Sequence, residues 1–339
     1  MILNRSATLK WHSREVLEGS GQISKLREEI PYFRRIPFRI EDGGVNKNLD
    51  LIVREPLKKS QGYLLPSSDD EVQIPVATVS KRYELVQHHN LLEVLETALK
   101  NIDLDPESLK AELILTEYGE RMRVSFTLPN YDFDPGDGYP IVLKVNAFNS
   151  VDRTTALSIN LSWYRLVCSN GMMFGTRYAR FRRIHLQSRK PEDVKKFLKK
   201  QLSLAAEVQN LYKQWYKEQV FIEAKPSAVQ IEHWIDQTVA KKWGVHTAAR
   251  AYHIAKTGYD GEVTDRFTKD VKPHEHQVQS TNRVPGSFAP VRNAYDISQV
   301  LSWIASRRVT IEDQLDRMKD IPYLMRALLK EEKPITLSM

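Results

Sequence analysis

Apolar side chains return at every second position through the middle of this chain. Met122, Val124, Phe126 and Leu128 alternate with Arg121, Arg123, Ser125 and Thr127. Further on, Leu157, Ile159, Leu161 and Trp163 alternate with Ser158, Asn160, Ser162 and Tyr164. Only an extended strand sends successive side chains to opposite faces, so a period of two commits these segments to a sheet. Residues 111–117 and 121–128 flank Tyr118-Gly119-Glu120 and read as a hairpin. Residues 141–148 and 156–167 read as a second antiparallel pair, separated from the first by an Asp-, Gly- and Pro-bearing loop at 129–140. The polar face of residues 156–167 reads either as solvent-facing or as the floor of a groove.

Helical periodicity brackets this region. A strand at 76–86 leads into a helix at 89–102, with Leu91, Leu92, Leu95 and Leu99 on one stripe and Asn90 as its cap. A long helix is expected from Pro191, well suited to a first turn, to about Gln219, with Glu192 and Asp193 near its positive end. Val194, Phe197, Leu198, Leu202, Ala205, Tyr212, Trp215 and Tyr216 form its apolar stripe, and Lys195, Lys196, Lys199 and Lys200 fall opposite. The fold class is therefore α+β: an antiparallel sheet of two hairpins with helices packed on one face, followed by a mainly helical C-terminal region.

Three domains are expected. Residues 1–74 form an N-terminal arm, with short strands at 36–40 and 49–53 and a loop at 55–70. Residues 75–225 form the α+β core. Residues 226–339 carry helices at 228–243, 247–256, 296–307 and 311–329, interrupted by a long polar loop at 258–292.

Charge is concentrated in one place. Residues 177–200 hold Arg177, Arg180, Arg182, Arg183, Arg189, Lys190, Lys195, Lys196, Lys199 and Lys200 against Glu192 and Asp193 only. That is a local +8 in a chain of formal charge +7, so the remainder is close to neutral. Tyr178, Phe181 and Phe197 lie among these cations, and His185 lies within the segment. Cations for phosphates beside π-faces for unstacked bases are what a nucleic-acid strand requires. Arg121, Arg123 and Tyr164, on the polar faces of the strands, extend the candidate surface.

Catalytic patterns are weak. There is no glycine-rich phosphate loop with its lysine, no Gly-x-Ser-x-Gly elbow and no His-Glu-x-x-His helix. His88-His89 and His274-Glu275-His276 lack further ligands at metal-binding spacing. Asp132, Asp134 and Asp137 read as a turn cluster. Glu223-Ala224-Lys225 lacks the strand and upstream aspartate of a metal nuclease. Cys168, the single cysteine, excludes an intrachain disulfide and a multi-cysteine zinc site. With no long apolar run and no signal-like N-terminus, the expectation is a cytoplasmic, non-enzymatic protein without metal or cofactor.

The segments Val79-Ser80-Lys81-Arg82-Tyr83-Glu84-Leu85-Val86, Asn149-Ser150-Val151-Asp152-Arg153-Thr154 and Arg165-Leu166-Val167-Cys168-Ser169-Asn170-Gly171 occur in this order, followed by Arg182-Arg183-Ile184-His185. Over residues 75–220 the chain thereby resembles a phage- and plasmid-borne family known only as a domain of unknown function (DUF932), with a looser echo at 247–259. It departs from that pattern at Val151 and Arg153, where histidine and glycine are expected. The resemblance implies a mobile-element setting and supplies no catalytic residue. The order of strands and long helix over 111–219 is also similar to that of single-strand annealing recombinases. The expected function is a binder of single-stranded nucleic acid, DNA above RNA, working as a homo-oligomeric annealing or recombination mediator with no membrane partner. The alternatives are a protein-interaction factor in host conflict, docking a partner through the C-terminal region, and a divalent-metal nuclease.

Overall fold

The N-terminal segment is held by strand pairing. In the computed structural model, which describes residues 3–11, 14–40, 44–55, 74–155, 157–165, 172–174, 181–182, 191–221, 229–266 and 271–329, β1 (Asn4–Trp11) and β2 (Arg14–Gly21) form an antiparallel pair. After the short α1 (Ile23–Arg27), β3 (Phe33–Arg39), β4 (Val45–Arg54) and β5 (Ile74–Ser80) make a three-stranded antiparallel sheet. Its buried side is Phe33, Ile52, Val76 and Val79, joined by Val151. The strand expected to reach residue 86 ends at Ser80. α2 (His88–Lys100) buries Leu91, Leu92, Leu95 and Leu99 as its periodicity predicts, but its N-cap is Gln87, with Asn90 inside the helix. Gln87 spends its amide on β3 instead: Phe33 N–H donates to Gln87 Oε1 (3.1 Å), and Gln87 Nε2 donates to the Phe33 carbonyl (2.6 Å).

The expected first hairpin is β6 (Ala111–Thr116) with β7 (Arg121–Phe133), in register from Ala111↔Phe126 to Leu115↔Met122. Gly119 in its turn has φ +73, and a Cβ there would lie 2.4 Å from Pro31 Cγ, so the turn needs glycine for conformation and for room. β8 (Ile141–Ser150), β9 (Ser158–Arg165), β10 (Met172–Phe174) and β11 (Phe181–Arg182) follow. The large sheet has the order β1-β2-β6-β7-β8-β9-β10, with β11 also on β9. β2 enters it beside β6, from Val16↔Thr116 to Gly21↔Ala111. All ten positions of β8 are buried, which marks it as a central strand covered on both faces.

The single long helix expected over 191–219 is two helices, α3 (Pro191–Ser203) and α4 (Ala205–Lys217). No proline or glycine marks the break at Leu204, so periodicity alone runs straight through it. Next come β12 (Val220–Phe221), paired in parallel with β13 (Val229–Gln230), then α5 (Ile231–Trp234), a π-helical turn at Ile235–Val239 and α6 (Ala240–Trp243). α7 (Val245–Thr257) leads into the region read as a long loop. Its described part contains an antiparallel hairpin, β14 (Tyr259–Val263) with β15 (Val278–Arg283), and a 3₁₀ turn at Pro273–Glu275. Asp, Gly, Gln, Ser and Asn dominate these strands, so they lack the alternation that signals a sheet.

α8 (Ala294–Ser306) starts from Asn293, whose side chain accepts from Asp296 N–H (2.8 Å), and is buried from Ala294 to Ala305. Its Ser298 and Ser302 hydroxyls are satisfied by the carbonyls of Tyr295 and Ser298. α9 (Ile311–Leu329) has the bounds the sequence suggested. The architecture is thus α+β, with antiparallel sheets, helices and a helical C-terminal region.

Two compact units result. One comprises Met1–Pro129, Lys144–Leu161 and Ala179–Leu202; the other comprises Asn130–Leu143, Ser162–Tyr178 and Ser203–Met339. β2 pairs with β6 inside the first unit, whereas β7, β8 and β9 contribute residues to both. The second unit has its own aromatic core: Phe133 packs edge-on to Trp163 (5.3 Å) and stacks on Tyr212 (6.0 Å), which meets Tyr295 (6.5 Å).

Candidate nucleic-acid interface

α3 is the longest described part of the basic segment, and its amphipathicity is sharp. Val194 and Leu198, one turn apart, are 1% and 0% exposed. Lys196, Lys199 and Lys200 are exposed, and Lys195 is half-buried. The exposed lysines thus form a cationic face opposite the buried stripe. Among the other predicted contacts, Phe181 and Arg182 form β11, opposite Ile159 and Ser158 of β9. Arg177, Tyr178, Arg180, Arg183, His185, Arg189 and Lys190 lie outside the described residues.

The polar face of the sheet is neither solvent-facing nor an open floor. Ser125, Asn146, Ser158, Asn160 and Ser162 are all buried. Ser125 Oγ donates to Asn146 Oδ1 (2.8 Å), and Asn146 Nδ2 donates to Asn160 Oδ1 (3.1 Å), a chain across β7, β8 and β9. Beside it Lys144 Nζ sits 2.5 Å from Glu112 Oε1. Burial pushes the Lys144 ammonium down despite Glu112; burial acts upward on the Glu112 carboxyl, but the Lys144 charge outweighs it and holds that group below the usual range. These polar residues are a hydrogen-bonded layer within the structure.

Two predicted contacts are thereby corrected. Arg121 is 4% exposed, with Nε donating to Asp152 Oδ2 (2.8 Å) and Nη1 to the Trp11 carbonyl (2.8 Å). Tyr164 is 6% exposed. Neither is presented to a strand, because the alternation that placed them on a polar face does not say what covers that face. Arg123 is half-buried.

Two of the sequence motifs meet in space. Tyr83 Oη donates to the Val151 carbonyl (3.1 Å), and burial, aided by Asp152, pushes its phenol up to about 12. Asn149 Nδ2 donates to the Val86 carbonyl (3.0 Å) and to His88 Nδ1 (3.0 Å), while His88 Nε2 lies 2.8 Å from the Gly119 carbonyl. Val151, in place of the expected histidine, is fully buried in the core of the β3-β4-β5 sheet. Arg153, in place of the expected glycine, holds φ +67. The 81–86 and 149–154 motifs are thus a structural clasp joining α2, the β6–β7 turn and the end of β8.

The remaining candidates are structural where described. His89 stacks on Tyr32 (3.9 Å), His274 Nδ1 pairs with Asp236 Oδ2 (2.7 Å), and His276 Nδ1 with Asp265 Oδ2 (2.9 Å). Asp134 Oδ1 accepts from the N–H groups of Gly136 (2.7 Å) and Asp137 (3.0 Å), and these turn hydrogen bonds draw its carboxyl below the usual range. Asp134 and Asp137 therefore stand as a turn, whereas Asp132 belongs to the end of β7. Among the described residues no group of three His, Cys, Asp or Glu side chains could hold a metal ion, and no helix is long and apolar enough to cross a membrane. Cys168 and Glu223-Ala224-Lys225 lie outside the described residues. Sequence reasoning missed one group of cations, Arg250, Arg283, Arg307 and Arg308, which line a common cleft. Their spread along the chain leaves no charge run to find.

Neither the curated proteins nor the solved structures contain a significant match to this chain. A family profile matches residues 75–283, well over half the chain and past the 75–220 span carried by the motifs, so the chain belongs to the family described as "Domain of unknown function (DUF932)".

Proposed function

We propose that this chain is a non-enzymatic nucleic-acid-binding protein of a mobile element, acting in the cytoplasm to hold single-stranded DNA for annealing or recombination. The observation that carries the reading is α3, which seats Val194 and Leu198 in the core and leaves Lys196, Lys199 and Lys200 exposed on one cationic face. With the arginines of 177–190 these lysines would neutralise phosphates, while Tyr178 and Phe181 stack bases. Annealing needs no bond chemistry, only a strand held with its base edges outward. Self-association into a ring or filament belongs to this proposal. Arg121 and Tyr164, being buried, have no part in it.

The test is fluorescence anisotropy with a labelled single strand and its duplex across a salt series. A site engaging about five phosphates loses affinity with a log–log slope near −3.5 for a single strand. Lys195→Glu/Lys196→Glu/Lys199→Glu/Lys200→Glu should abolish binding while keeping its circular dichroism. Absence of binding by the folded wild type at low salt refutes the proposal and transfers the basic segment to an acidic protein partner.

A further inference from the structure

Residues far apart in the sequence build a second concentration of charge inside the C-terminal unit. The first turns of α7, the β14–β15 hairpin and the end of α8 line a cleft of about 770 Å³. Four arginines reach its walls: Arg250, Arg283, Arg307 and Arg308. Two carboxylates, Asp260 and Glu262, stand against them.

Asp260 is already committed. Its carboxylate accepts from Arg250 Nε (3.0 Å) and Nη2 (2.7 Å), from Trp303 Nε1 (2.9 Å) and from Gly261 N–H (2.8 Å). Burial acts to raise the Asp260 carboxyl, but these donors outweigh it and hold the group below its ordinary range. Arg250, Asp260 and Trp303 thus form a closed floor. Arg307 lies over the Trp303 ring, its Cζ 4.1 Å from the centroid, which orients the guanidinium without consuming its N–H donors. Arg308 pairs with Asp313 at 3.6 Å, and among the described residues its buried Nε has no hydrogen-bond partner. Arg283 is exposed on the last position of β15. The N-cap of α7 is Gly244, which offers no side chain to the helix's opening N–H groups, so the positive end of a 13-residue helix lies at the same cleft.

A polar cleft with three arginine forks beyond its internal ion pair, plus a helix start, is matched to phosphate oxygens rather than to an apolar or cationic ligand. Its volume suits a molecule of nucleotide size. We infer that this cleft binds a phosphate-bearing ligand, the phosphate being held by Arg283, Arg307 and Arg308. The phosphate can belong to a free nucleoside phosphate or to the end of a strand; the chemistry recognised is the same. This site shares no residue with α3 and stands independently of the annealing proposal.

Titration calorimetry on the full chain tests it with ATP, inorganic phosphate, and a single-stranded oligonucleotide with or without a 5′-phosphate. The variant is Arg283→Gln/Arg307→Gln, both residues being exposed. The expected result is binding of ATP, or of the 5′-phosphorylated strand over its 5′-hydroxyl counterpart, weakened at least about tenfold in the variant. ATP binding marks a free nucleotide as the ligand, and a preference for the 5′-phosphate marks a strand end. The α3 lysine-to-glutamate variant should keep its ATP affinity, which separates this site from the first. Equal affinity of wild type and Arg283→Gln/Arg307→Gln for both probes, or no binding of either, overturns the inference.

Discussion

Acidification should destabilise the first unit through one side chain, His88. Its imidazole is fully buried, with Nε2–H donating to the Gly119 carbonyl and Nδ1 accepting from the Asn149 amide. Nδ1 therefore faces a donor, and a proton added there has no acceptor. Burial is the main influence on its pKa; the Gly119 carbonyl and Asp152 oppose it, and His89 adds to it. The result is a pKa brought from the ordinary 6.5 down to about 4. A histidine whose folded pKa lies below its unfolded value contributes full stability above the unfolded pKa, and that contribution is lost as pH falls through the window between 6.5 and 4. At roughly 1.4 kcal/mol per pKa unit the whole term is about 3 kcal/mol, of which about 2 kcal/mol is gone at pH 5. Urea unfolding at pH 8 and pH 5 on the wild type and His88→Gln isolates it, because every other titrating group is common to both. The wild type should lose about 2 kcal/mol more than the variant between the two pH values. Equal pH dependences would show that this imidazole is not held neutral by its surroundings and would refute the argument.

Two further outcomes follow from buried or strained groups. Arg121→Met should destabilise by about 3–5 kcal/mol in denaturant unfolding, because it leaves Asp152 as an uncompensated buried charge. The double variant with Asp152→Asn should recover part of the loss, and a cost for the single variant below about 1 kcal/mol would show the pair to be solvated. Arg153→Gly should raise stability by about 0.5–1 kcal/mol, since an exposed arginine at φ +67 carries a left-handed penalty that glycine lacks. A lower melting temperature for Arg153→Gly would count against that reading.

The alternation at 121–128 was enough to establish strands and the hairpin, because period two is a local consequence of backbone geometry. The leucine stripe of α2 and the bounds of α9 were legible for the same reason, as was the outward face of α3. What covers a face is not local. Arg121 and Tyr164 sit on polar faces in the pattern and are buried in the fold, since a strand's alternation separates its two sides without naming their neighbours. The pairing of β2 with β6 joins residues about a hundred positions apart, and β2 carries a single buried residue, Val16, to announce it. Arg283, Arg307 and Arg308 look like scattered surface charges in the chain; only the closure of the β14–β15 hairpin beside α7 and α8 makes them one site. The sequence by itself determined the sheet, the helical stripes and the concentration of charge at 177–200, all set by the nearest few residues. Tertiary structure alone decided which polar groups remain available to a ligand, because availability depends on contacts between segments that no local pattern encodes.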